Sequence, residues 1–252
     1  MSNQLENYQR VWIIGASSGM GAALAEMLAQ RGKEVIVSAR RAEKLEALAQ
    51  RSSLITPLPL DVEAPDAVAE AVSSLQTAGS LPDLTIYCAA IYEPGGMAQL
   101  DPEKARQHIG VNYLGAVSVL SALFPKLKEK GSGSIAIVSS LTSYCGLPMA
   151  ALYGPTKAAL ASLCETIKPE FDQAGLQLQL INPGFVDTPL TEKNSFPMPF
   201  ILSREEAAQR ILKGLERSAF EIAFPTRMAV ALGLLRRLPY GLYFRLMRRM
   251  LR

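Results

Sequence analysis

Seven short runs of apolar or β-branched residues, at 11–15, 34–39, 54–60, 84–88, 134–139, 176–181 and 220–224, divide this chain. Between them, apolar residues recur at helical spacing over 19–30, 43–51, 64–77, 102–130 and 151–174. Such alternation implies βαβ units. Most of the strands are apolar at every position, as strands are when helices cover both faces of a parallel sheet. The expected fold class is α/β, a doubly wound, Rossmann-type parallel sheet of about seven strands. At 252 residues the chain holds one such domain, placed at 1–225, with an extension at 226–252.

Composition narrows the setting. Residues 1–10 are polar and show no secretory pattern, and the three cysteines, Cys88, Cys145 and Cys164, are too scattered for a disulfide framework or a zinc site. A cytoplasmic protein without a metal is expected. His108 is the only histidine; it has no ligand companion and reads as structural. The net charge of +3 hides an asymmetry. Residues 226–252 carry seven of the 26 basic residues and none of the 23 acidic ones, which leaves about −4 on the rest.

Directly behind the first apolar run stands "GASSGMG", residues 15–21. In a doubly wound sheet this turn brings backbone N–H groups and a helix N-terminus onto a phosphate. Gly15 would permit the tight turn, Gly19 the approach of a pyrophosphate, and Gly21 the close packing of helix on strand. The spacing matches neither the usual dinucleotide fingerprint nor a P-loop, so by itself it fits a cofactor loop or a plain glycine turn.

Further motifs resolve that choice. Over about residues 10 to 225 the chain resembles the short-chain dehydrogenase/reductase family. "GASSGMG" resembles the family's cofactor loop, "LDV" at 60–62 its adenine contact, and "VNYLG" at 111–115 its helix with an active-site asparagine. "IVSS" and "YGPTK" resemble its catalytic segments, with Ser140 and Tyr153 at the family's usual separation of thirteen, and "NPGFVDTP" at 182–189 its nicotinamide-side loop. The resemblance implies a catalytic set of Asn112, Ser140, Tyr153 and Lys157. It also implies cofactor contacts from Gly15, Ser17, Ser18, Gly19, Gly21, Arg40, Asp61, Val62, Ala89, Tyr153, Lys157, Pro183, Gly184, Val186 and Thr188.

Tyr153 and Lys157 lie four apart, on one face of a helix. Hydride transfer to a ketone leaves an alkoxide that needs a proton, and Tyr153 would give it, with Ser140 polarising the carbonyl. Work near neutrality asks that the tyrosine's ordinary pKa of about 10 fall by roughly 3 units, with Lys157 and an oxidised nicotinamide as the available charges. By resemblance, Asn112 would fix a water that resupplies Lys157. "VIVSARR" ends the second strand without the acid that selects NAD, and Arg40 and Arg41 suit a 2′-phosphate, so NADP(H) is favoured over NAD(H).

Where the family commonly has Asn-Asn-Ala-Gly, this chain reads "CAAI" at 88–91, which weakens the strand more than the chemistry. Tyr92, Leu141, Tyr144, Met149 and Phe185, with a proline-broken lid at 195–200 carrying Phe196, Met198 and Phe200, would wall an apolar substrate pocket. The expected activity is an NADP(H)-dependent interconversion of a carbonyl and a secondary alcohol on an apolar, lipid-like substrate. The alternatives are an NAD-linked alcohol dehydrogenase and a cofactor-binding regulatory or scaffold protein.

Two partners are also expected. Val117, Leu120, Leu123 and Phe124, with the small-residue face at 158–163, suit a homodimer or homotetramer. The basic extension reads as two short amphipathic helices, with Met228, Leu232, Leu235 and Leu238 before the break at 239–241 and Leu242, Leu246, Met250 and Leu251 after it. It either lies on an anionic membrane surface or docks on the body or a partner subunit. No groove-reading motif supports nucleic acid.

Overall fold

The computed structural model describes residues 3–250; Met1 and Ser2 of the polar start, and Leu251 and Arg252 of the basic end, lie outside them. Seven parallel strands form one sheet: β1 (Arg10–Ile14), β2 (Glu34–Ser38), β3 (Ile55–Pro57), β4 (Leu84–Tyr87), β5 (Ser134–Val138), β6 (Gln177–Pro183) and β7 (Glu221–Phe224). Their spatial order is β3-β2-β1-β4-β5-β6-β7, so the winding reverses between β1 and β4. Ligands of such sheets bind beyond the strands' carboxyl ends at that reversal.

Alternate side chains of each strand feed two cores. Val11 and Ile13 of β1 pack with Val35, Val37, Leu84 and Ile86 on one face, while Trp12 and Ile14 pack with Ile36, Tyr87, Ile135 and Ile137 on the other. After the short α1 (Gln4–Asn7), the first face is covered by α2 (Gly19–Gln30), α3 (Ala42–Ala49) and α8 (Arg204–Leu215). The second carries α4 (Pro65–Thr77), α6 (Gly115–Lys130) and α7 (Tyr153–Gln173). Burial on both sides is why the strands are apolar throughout.

Two expected elements differ. The third run, 54–60, is a strand only over Ile55–Pro57, because Pro57 and Pro59 have no N–H to give the ladder and only an edge tolerates them. The helix over 102–130 is broken: α5 (Pro102–Ile109) and α6 flank a π-helical turn at Gly110–Leu114 that carries Asn112. Such turns concentrate at functional sites. His108 is buried on α5, with Nδ1 2.8 Å from the carbonyl of Lys104, a contact within its own helix. The basic extension forms α9 (Thr226–Arg236) and α10 (Tyr240–Arg249).

Candidate active site

The glycine loop leaves β1 at the sheet's carboxyl edge. Gly15 has φ +95°, and a Cβ there would stand 2.4 Å from the backbone nitrogen of Ala89; a Cβ on Gly21 would stand 2.4 Å from the carbonyl oxygen of Gly15. Neither place admits a side chain, so the loop lies flat on the end of β4 and α2 starts tight against β1. Ser18 caps α2 without a side-chain bond to its first N–H groups, so the helix N-terminus faces the cradle as an anion site. Gly19 stands across from Thr188, whose methyl would lie 3.1 Å from an added Cβ. A shaped, phosphate-ready cradle of this kind fits a dinucleotide.

Beside it, Arg40, Leu58, Leu60, Asp61 and Ala71 line a cavity of about 550 Å³. Arg40 lies 3.5 Å from the carboxylate of Glu63, and Arg41 donates to the Ser17 hydroxyl at 2.8 Å, which brings a second guanidinium onto the glycine loop. Val62 turns its side chain into the core, so any contact it makes here falls to its backbone.

At the far end of the cleft, Ser139 directly follows β5, and its hydroxyl donates to the Lys157 carbonyl at 2.8 Å and ties strand to helix. Ser140 follows; its oxygen accepts from the Thr142 N–H at 3.2 Å and donates to the Pro183 carbonyl at 3.4 Å. Tyr153 opens α7. One turn on, the buried Lys157 donates to the Val138 carbonyl at 2.9 Å, with its ammonium 5.5 Å from the centre of the Tyr153 ring. Asn112 is fully buried: it accepts from the Ile91 N–H at 2.8 Å and donates to the Ile91 carbonyl at 3.0 Å and the Thr156 hydroxyl at 3.1 Å. The amide pins the loop after β4 to the residue before Lys157. Pro183 ends β6 beside Ser140, and Gly184 and Val186 follow it.

The protein's own groups do not supply the lowering expected for Tyr153, which leaves that part to the oxidised nicotinamide. Burial pushes the Tyr153 phenol well above its ordinary value, the neighbouring Ser140 hydroxyl offsets only part of that, and Tyr92 adds to the rise. Burial likewise pushes Lys157 down to about 8. The chain's own groups hold Tyr153 as a neutral phenol, the form that carries a proton to give, because desolvation outweighs every partner the protein supplies. At the end of β4 the Cys88 thiol is also pushed up, to about 12, by burial, and is held neutral.

On the substrate side, the Tyr92 ring meets Tyr153 edge to face with centroids 5.0 Å apart, and its hydroxyl donates to Asn194 at 2.6 Å. Tyr92 thus joins the tyrosine of the cluster to the lid. Phe185 packs edge-on against Phe196 of that lid, and Leu141 is buried. Two expected wall residues are elsewhere. Tyr144 sends its hydroxyl to Glu221 on β7, at 2.6 Å, and Phe200 is 54% exposed at a backbone φ of +58°, so it tips outward.

The family model for short chain dehydrogenases matches residues 9–197. The chain belongs to the short-chain dehydrogenase family. An uncharacterized oxidoreductase of Myxococcus xanthus is 34% identical over 241 residues, which cover 94% of this chain and 95% of that protein. Dehydrogenase/reductase SDR family member 7B of Bos taurus is 26% identical over 94% of this chain and 79% of its own length. A short chain dehydrogenase from Burkholderia cenocepacia, solved in complex with NADP, is similar with a TM-score of 0.82 at 28% identity, covering 94% of this chain and 97% of that one. This short-chain dehydrogenase is therefore a nicotinamide-dependent oxidoreductase. Three further contacts appear only in three dimensions: Arg41 on Ser17, Thr156 on Asn112, and the Tyr92 ring on Tyr153. Of these residues only Thr156 carried no signal in the sequence.

Proposed function

We propose that this enzyme uses NADP(H) in preference to NAD(H) to interconvert a carbonyl and a secondary alcohol on an apolar substrate, with Tyr153 as the proton donor. The cluster of Ser140, Tyr153 and Lys157 carries this reading. The bound cofactor supplies or accepts the hydride; the protein's part is binding, orientation and the proton. Gly15, Ser17, Ser18, Gly19 and Gly21 cradle the pyrophosphate, Asp61, Val62 and Ala89 border the adenine half, and Pro183, Gly184, Val186 and Thr188 border the nicotinamide half. Arg40 and Arg41 hold the 2′-phosphate. The NADP complex of the Burkholderia cenocepacia relative supports that choice.

Ser140 donates to the substrate oxygen and holds it toward the Tyr153 hydroxyl. As negative charge gathers on that oxygen, the phenol gives up its proton, and Lys157 stabilises the phenolate left behind and resupplies it. Asn112 keeps Lys157 and the 91–92 loop in register. Ring edges and aliphatic chains from Tyr92, Leu141, Phe185 and Phe196 favour a hydrophobic ketone over a charged one.

The pH dependence follows from Lys157. The amine must arrive protonated to resupply the tyrosine, and its value sits at about 8. The functional form is present below that value and lost above it, so kcat/KM for reduction should fall as pH rises through about 8. A profile flat from about pH 6 to about pH 10 would remove Lys157 from the proton route.

Self-association is part of the same proposal. Between α6 and α7 lies an apolar groove of about 240 Å³ lined by Val117, Leu120, Phe124, Leu163, Ile167 and Phe171. Leu123, expected at this face, is instead fully buried in the core, where it faces the sheet. Covering the groove with a second copy gives a homodimer or homotetramer. Light scattering at micromolar concentration should return at least twice the chain mass; a monomer contradicts it.

A further inference from the structure

Residues 226–250 present two different surfaces. Inward, Leu232, Tyr243 and Met247 are buried, the Tyr243 hydroxyl donates to the Gly146 carbonyl, and Met228 packs so closely on Gly184 that a Cβ there would lie 3.1 Å from its sulfur. The helices thus dock on the two loops that flank Ser140, one running on from it and one following β6. Of the apolar residues the sequence set on the faces of these helices, Leu232 is spent on the body, and Leu235 and Leu246 are half-buried.

Outward, α9 and α10 expose a second apolar set. Leu234 is 59% exposed, Phe244 54% and Tyr240 77%, joined by Val230 and Leu242, and the Tyr240 and Phe244 rings stack at 5.6 Å. On the same two helices Arg227, Arg236, Arg237, Arg245, Arg248 and Arg249 are all exposed, with no acidic residue in the segment. Among the described residues none of the six forms an ion pair. The lid adds the exposed Phe200 and Ile201, anchored on Phe185 through Leu202, so the lid and the helix pair lean on the same stretch, residues 184–185.

We infer that this outer face lies on an anionic phospholipid surface, with the arginines on lipid phosphates and Leu234, Tyr240 and Phe244 in the boundary of the acyl chains. Charge selects this occupant. A second copy meeting the face by two-fold symmetry would set six unpaired arginines against six others, whereas a lipid surface offers them anions at every position. The inference deepens and rests on the apolar-substrate reading, because the helix pair and the lid both rest on residues 184–185, next to the strand end that holds Ser140, and a bilayer there supplies such a substrate.

Deleting the whole segment is a poor test, since it strips the loops that Met228 and Tyr243 cover. The test uses the full chain and co-sedimentation with vesicles of phosphatidylcholine alone or mixed with phosphatidylglycerol. Wild type should sediment with the anionic vesicles at low salt, and salt should weaken this without abolishing it, since screening removes only the charge contribution. Leu234→Ser with Phe244→Ser should cut the bound fraction about tenfold, and Arg245→Gln with Arg248→Gln should reduce it and its salt dependence, while melting temperature and turnover of a small soluble ketone stay those of wild type. Wild type left in the supernatant with anionic vesicles at low salt overturns the inference. So does an outer-face pair that binds as wild type does, or one that leaves vesicle binding intact and instead dissociates an oligomer. Vesicle binding without turnover of any ketone would leave this inference standing and sink the catalytic reading instead.

Discussion

Tyr153→Phe is expected to lower kcat for carbonyl reduction by about a hundred- to ten-thousandfold while NADPH binds within about twofold of wild type. The substitution removes one oxygen and keeps the ring, so the edge-to-face contact with Tyr92 at 5.0 Å and the face beneath Lys157 survive. What is lost is the only phenol among the described residues placed beside both Ser140 and Lys157, and burial favours that phenol's proton-bearing form. Lys157→Ala should harm catalysis and cofactor binding together, since the proposed function assigns the lysine to the proton route and the family resemblance to the cofactor as well. Titration of NADPH fluorescence gives the binding half of the comparison and initial rates the other. Full activity in purified Tyr153→Phe would remove the tyrosine from the chemistry.

Cofactor preference should shift by a comparable amount when the arginines are removed. Each charge-assisted contact to a 2′-phosphate is worth about 1.5–3 kcal/mol, roughly ten- to over a hundredfold in affinity. Arg40→Ala should therefore weaken NADPH far more than NADH, and Arg41→Ala should do the same. Of the two, Arg41 is held on the loop itself by Ser17, whereas Arg40 already leans 3.5 Å from Glu63 and gives up part of that contact to reach a phosphate. The larger loss of preference is expected at Arg41. Equal losses for both cofactors, by titration of the same preparations, would show that these arginines do not read the phosphate.

The sheet was legible because its strands are buried on both faces, and a run such as "VWII" has few other folded fates than the middle of a parallel sheet. The glycine loop was legible because sterics leave Gly15 and Gly21 no alternative. The π-helical turn was not, since residues 102–130 are helix-compatible throughout and the extra residue at Asn112 is set by the tertiary demand to reach Ile91 and Thr156. Leu123 was misplaced for a related reason: on a helix apolar on several sides, periodicity does not say which side faces the sheet. For the tail, the sequence placed Leu232 on the apolar face but left docking and a membrane surface both open, since the spacing does not say what covers that face. The upward push that burial gives Tyr153 was not legible, because formal charges can be counted along a sequence but desolvation cannot.

Catalysis at this site is tested most directly by mixing the purified full-length enzyme with NADPH and a series of apolar medium- and long-chain ketones and following NADPH consumption against alcohol formed. One alcohol for each NADPH consumed, lost in Tyr153→Phe and slower with NADH, is the predicted result. NADPH that binds but is neither consumed with any ketone nor regenerated from NADP and the matching alcohols would contradict it, and would identify a cofactor-binding scaffold in place of an enzyme.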